Sequence, residues 1–155
     1  NAVEDTSWSR LVDVITASQD LLDDTLAGNE QAVARAIDQA HDEHTSILAY
    51  NDENSLACVL TVAYIWARNE YVIHREYATG KGYADLVMIP LRNVAKPALV
   101  IELKFNHTAD TAIDQIKRKE YPTKMAEYSG DILLVGVNYD KETKLHTCKI
   151  ERYTK

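Results

Sequence analysis

The hydrophobic period of this chain changes near residue 70. Before that point apolar side chains recur at helical spacing: Trp8, Leu11, Val12 and Ile15, then Leu21, Leu22 and Leu26. The stretch "AGNE" (27–30) breaks the pattern and offers Asn29 as a cap; Ala32, Val33, Ala36 and Ile37 resume it. A third helix is predicted from "NDEN" (51–54), with Leu56, Val59, Leu60 and Ala63 on one face. Beyond residue 70 the texture becomes strand-like in "EYVIHREYAT" (70–79), "GYADLVMIPL" (82–91) and "KPALVIELKF" (96–105). The links "GKG" and "RNVAK" are short enough to imply an antiparallel meander. Residues 108–121 return to helical spacing through Ala109, Ala112, Ile113 and Ile116, and Pro122 breaks or restarts that helix. "DILLVGVNYD" (131–140) and "KLHTCKIERY" (144–153) predict a closing hairpin around "DKET". The strand from 131 follows a crossover helix, so it is expected to lie parallel to 98–105. The pattern is α/β: a mixed sheet flanked by helices, with a helical N-terminal third.

Within "ALVIELKF" (98–105) two charged residues interrupt an apolar strand. Alternation puts Val100, Glu102 and Lys104 on one face and Leu99, Ile101, Leu103 and Phe105 on the other. In the preceding strand Asp85 shares a face with Tyr83, Val87 and Ile89. A lone buried carboxylate is costly, so such groups have a charge partner, a hydrogen-bond network or a metal. If the meander pairs as expected, Asp85 and Glu102 converge, and a hard divalent cation relieves their repulsion. Lys104, beside Glu102, can then stabilise charge on a phosphate; an acid pair and a lysine around Mg²⁺ suit phosphodiester hydrolysis. The plainer reading of Glu102 and Lys104 is an ion pair on a half-exposed strand.

Composition constrains these readings. A chain of 155 residues, 46% apolar and 26% charged, has the size and balance of one soluble globular domain. No apolar run is long enough to span a bilayer. Cys58 and Cys148 match no metal or redox spacing, so reduced thiols and a cytoplasmic location are expected. The start at Asn1, without methionine, suggests a domain taken from something longer. The net charge of -7 gives no long-range attraction to nucleic acid, so binding needs a local basic patch or bound cations. "IKRKE" (116–120) is the most basic stretch and reads either as a solvated face or as a phosphate contact through Lys117 and its neighbours. His41 and His44 have i, i+3 spacing but lack nearby further ligands, which favours a polar helix end over a zinc site. Tyr64, Trp66 and Tyr71 can stack on bases, with core packing the simpler expectation.

Asp85, a spacer and Glu102-Leu103-Lys104 on consecutive strands, between two helices, resemble the PD-(D/E)XK nuclease superfamily. The likeness runs over roughly residues 20–153 and includes "AVARAIDQA", "ENSLACVL", "GKGYADLVMIP", "KPALVIELKF" and "DQIKRKEY". It is closest to the nuclease-like C-terminal domain of bacterial proteins with an AAA-ATPase-like region. The resemblance implies a restriction-endonuclease-like fold over residues 1–155, with 1–50 a helical extension and 51–155 the nuclease core. It implies Mg²⁺ (or Mn²⁺) held by Asp85 and Glu102, with Glu53 assisting, and Lys104 as the catalytic lysine. Gln115 matches a glutamine that points into the site of related nucleases; Lys119 and Tyr121 match basic and aromatic positions after it. Each has a plainer alternative: Glu53 as a favourable first-turn acid, Gln115 as an exposed helix position. Two departures stand out. Tyr83-Ala84 replace an Arg-Tyr pair often found before the aspartate, and the proline of the superfamily name is absent. The implied partner is nucleic acid, DNA foremost, and an AAA-ATPase-like domain in a longer protein. A catalytically quiet binding or regulatory module, or a domain docking an ATPase, are the rival readings.

Overall fold

The structure, a computed structural model, describes residues 2–44, 53–77, 84–118 and 130–153. Helices α1 (Ala2–Ala27), α2 (Glu30–His44) and α3 (Glu53–Ala63) come first. A short 3-10 turn (Ile65–Asn69) then leads to strands β1 (Tyr71–Tyr77), β2 (Ala84–Pro90) and β3 (Ala98–Phe105). Helix α4 (Ala109–Arg118) crosses to β4 (Ile132–Asp140) and β5 (Leu145–Tyr153). Residues 45–52, where the third helix was expected to begin, Pro122 and the "GKG" turn lie outside the described residues.

Gly28 ends α1 because its φ of 77° suits glycine. The Gly28 N–H donates to Thr25 O and the Asn29 N–H to Asp24 O, a Schellman-type closure. Asn29 does occupy the cap position of α2, its carbonyl accepting from Val33 N–H. Its side chain, however, donates to Asp24 Oδ1 and leaves the first turn of α2 to other groups. The expected side-chain cap is therefore spent backwards on α1.

Among the described residues the strands form one sheet in the order β1-β2-β3-β4-β5. β1, β2 and β3 make an antiparallel meander, β3 and β4 run parallel, and β4 and β5 close as an antiparallel hairpin. The crossover through α4 is what makes the β3–β4 pair parallel. In the β4–β5 turn Asp140 Oδ1 accepts from the Glu142 and Thr143 N–H groups, and Lys144 has φ of 60°.

Alternation along β2, β3 and β4 sorts the core into two layers. Leu86, Met88, Leu99, Ile101, Leu103, Leu133, Val135 and Val137 pack with Leu21, Leu22, Val33, Ile37 and Leu60 from α1, α2 and α3. Val87, Val100, Ile132 and Leu134 pack with Ile113 and Ile116 of α4. Tyr64 and Tyr71 are buried in the first layer, so they are core aromatics and not a base-stacking platform. The Tyr64 hydroxyl donates to Thr25 Oγ1, which itself donates to Leu21 O. His41 is also buried, edge-on to Tyr139 and His146. At 26 residues α1 is about 39 Å long. A sheet of five strands is narrower, and Trp8, Leu11 and Val12 stay exposed although they continue the apolar stripe.

Candidate active site

The α4 layer holds the unusual polar residues. Val100 packs beneath α4, so Glu102 and Lys104, two and four residues on, belong to the same face of β3. Both are buried, at 0% and 3% exposure. The half-exposed ion pair is thus excluded by burial: these charges are held inside the fold, where each carries a desolvation cost.

The β2–β3 register pairs Leu86 with Ile101 and Val87 with Val100. Continued by one residue, it sets Asp85 of β2 across from Glu102, on the face that Val87 shares with α4. The side chains of Asp85 and Glu53 lie outside the described residues, as do Lys119 and Tyr121. Glu53 opens α3, whose Leu60 packs in the opposite layer from Glu102.

On the other side of β3, Glu102 is in register with Gly136 and Lys104 with Asn138 of β4. A Cβ on Gly136 would lie 2.6 Å from Ala109 O and 3.0 Å from Ala112 Cβ. The missing side chain lets the first turns of α4 rest on the sheet one strand away from Glu102. Asn138, 4% exposed, accepts a hydrogen bond from the His107 N–H (2.9 Å), tying the β3–α4 loop to β4. Thr108 Oγ1 accepts from Thr111 N–H and caps α4.

The two flanks of α4 do different things. Asp110 and Lys117 reach Lys149 and Glu151 of β5, with Lys117 Nζ 2.9 Å from Glu151 Oε2. The Lys117 amine holds the Glu151 carboxyl below its usual range. Gln115 stands roughly 160° around the helix from Lys117, so it belongs to the flank turned from β5 toward β3 and β2. It is 7% exposed, a buried amide rather than an exposed helix position. The fold therefore gathers Glu102, Lys104 and Gln115 into one layer, with Asp85 in register, and turns Lys117 to the far flank.

Residues 51–148, well over half of the chain, match the family model described as the PD-(D/E)XK nuclease superfamily. The chain belongs to the PD-(D/E)XK nuclease superfamily. No curated protein matches it. The matched span of this PD-(D/E)XK domain includes β2, β3, α4 and β4, which carry every buried polar residue named above, and excludes α1 and α2. Nucleases of this superfamily generally use divalent metal ions. Among the described residues no three His, Cys, Asp or Glu side chains cluster as a metal site. The chemistry of the α4 layer, carboxylate and amide oxygen without imidazole or thiolate, nevertheless fits a hard cation of the Mg²⁺ class. His41 packs in the opposite layer against rings, as a core histidine does. No helix among the described residues is long and apolar enough to cross a membrane.

Two residues of this layer escape a reading of the sequence. Gly136 and Asn138 interrupt the apolar run "ILLVGVNYD" two positions apart, hence on one face. That was the available signal, and only the register with Glu102 and Lys104 gives it meaning.

Proposed function

We propose that the domain hydrolyses phosphodiester bonds of nucleic acid, DNA foremost, with Mg²⁺ or Mn²⁺. The observation that carries this reading is the burial of Glu102 and Lys104 side by side beneath α4, with Asp85 in register across from Glu102. Asp85 and Glu102 would hold the cation, with Glu53 assisting from the start of α3. A cation held there supplies Lewis acidity toward a phosphoryl oxygen. Lys104 donates hydrogen bonds to the phosphate as charge grows on its oxygens, in a site whose low water content strengthens each contact. Gln115 orients the attacking water or the phosphate through its amide. Lys119 and Tyr121 would follow the backbone of the nucleic acid, and Lys117 could join them only by leaving Glu151. Residues 1–155 would act as one unit, with 1–50 an extension of the nuclease core.

The exposed Trp8, Leu11 and Val12 favour a second role for that extension, docking an AAA-ATPase-like partner or domain. The decisive experiment pairs a nuclease assay in Mg²⁺ or Mn²⁺ with thermal melts, for the parent, Lys104→Ala and Glu102→Gln. The parent should cleave and Lys104→Ala should not. Without metal, Glu102→Gln should be as stable as the parent or more so, because an amide is cheaper to bury than a carboxylate. Mg²⁺ at a hundred times its dissociation constant should stabilise the parent by about 2.7 kcal/mol and leave Glu102→Gln unmoved. A loss of roughly 3–5 kcal/mol in Glu102→Gln, with no metal response in the parent, would mark a structural buried ion pair and refute the reading.

A further inference from the structure

Asn138 is buried in mid-strand beside Lys104, on the face that α4 covers. An asparagine in such a place is costly unless its amide is used. Its Oδ1 is spent on the His107 N–H. Its amide nitrogen carries no hydrogen bond among the described residues, so two donors are available next to Lys104. Immediately beyond, at the carboxyl ends of β3 and β4, Asn106, His107, Asp140, Lys141 and Glu142 line a polar cleft of ≈ 500 Å³. Carboxyl ends of strands are where open α/β sheets bind ligands. The cleft gives an extended polyanion a way in over Lys104 and Asn138.

We propose that Asn138 is a substrate-contacting residue, whose side-chain NH₂ donates to a phosphate oxygen of nucleic acid lying over Lys104. This rests on the nuclease reading above. The His107 bond fixes which way the amide faces: with Oδ1 committed to the loop, the NH₂ group is the end presented to substrate. The contact is neutral, so it adds affinity without releasing a counterion.

The test uses the whole chain and a short fluorescent DNA duplex, with Ca²⁺ replacing Mg²⁺ so that affinity is read apart from cleavage. Asn138→Asp keeps an oxygen for the His107 N–H and replaces both donors by negative charge. It should weaken binding by about 10-fold or more, the worth of a hydrogen bond to a charged group, while the His107 amide resonance and the melting temperature stay put. Asn138→Ala should weaken binding at an unchanged log–log salt slope, whereas Lys104→Ala should make the slope shallower by about 0.9. If Asn138→Asp fails to fold, Asn138→Ala decides alone. Affinity within about twofold of the parent in the deciding variant, against the roughly 10-fold expected for a lost contact, overturns the proposal and leaves the nuclease reading intact. Failure of the parent itself to bind duplex DNA, single-stranded DNA or RNA overturns both.

Discussion

Gly136→Ala should push α4 off the sheet and spoil the site before it unfolds the protein. The added Cβ would meet Ala109 O at 2.6 Å, Ala112 Cβ at 3.0 Å and Ile113 Cγ1 at 3.0 Å. The nearest of these is backbone, in the first residue of α4, so no side-chain rotation relieves it. Ordinary carbon contacts lie at about 3.5–4.0 Å, and α4 must therefore retreat by roughly 0.5–1 Å. Overpacking of this kind costs about 1–3 kcal/mol. The opposing term is the smaller conformational entropy of an unfolded chain with alanine, worth about 0.4–1 kcal/mol, which applies because Gly136 does not have a positive φ. The clash wins, with a net loss of about 0.5–2.5 kcal/mol and a fall in melting temperature of roughly 1–10 °C. Urea unfolding should show a lower midpoint at constant slope, since the surface buried in either state hardly changes. Mg²⁺-induced stabilisation should drop as well, because retreat of α4 carries Gln115 away from β3. A Gly136→Ala protein as stable as the parent, or more stable, would mean that α4 does not rest on β4 as described and would refute the reasoning.

Burial holds the pKa of His146 below its ordinary value, the Asp38 carboxylate at 2.6 Å opposing this only in part; burial lowers His41 likewise. The unfolded chain then binds more protons, so stability is full above about pH 6.5 and falls as pH drops below it, by up to ~1.4 kcal/mol per pH unit for His146. Urea titrations between pH 7 and 5 should show this slope and a smaller one in His146→Gln; equal slopes in both would exclude His146 as its source. Lys117→Ala should change stability by no more than about 1 kcal/mol, since its pair with Glu151 is largely exposed. The same substitution should leave the salt slope of DNA binding unaltered; a slope shallower by about 0.9 would show that Lys117 leaves Glu151 for a phosphate.

Hydrophobic period alone determined most of the architecture. Helical spacing before residue 70 and alternation after it specified the elements and their order, because each element must bury one face. The crossover helix made β4 parallel to β3 for a reason of chain geometry, visible from the order of elements. Alternation also put Glu102 and Lys104 on a common face, and the motif around them named the family that the matched span shows. What the chain could not disclose by itself is which flank of a helix meets which strand. Lys117 and Gln115 are two residues apart in one basic, amphipathic stretch, yet one pairs with Glu151 and the other is buried toward β3. That choice depends on how α4 settles on the sheet, and Gly136 sets it by letting the helix approach β4. Asn29 and Asn138 teach the same lesson. An asparagine can serve any nearby backbone group, and only the finished packing sent one side chain back to Asp24 and the other to the loop after β3. Local pattern decides which face is buried; long-range contacts decide what each buried polar group is for.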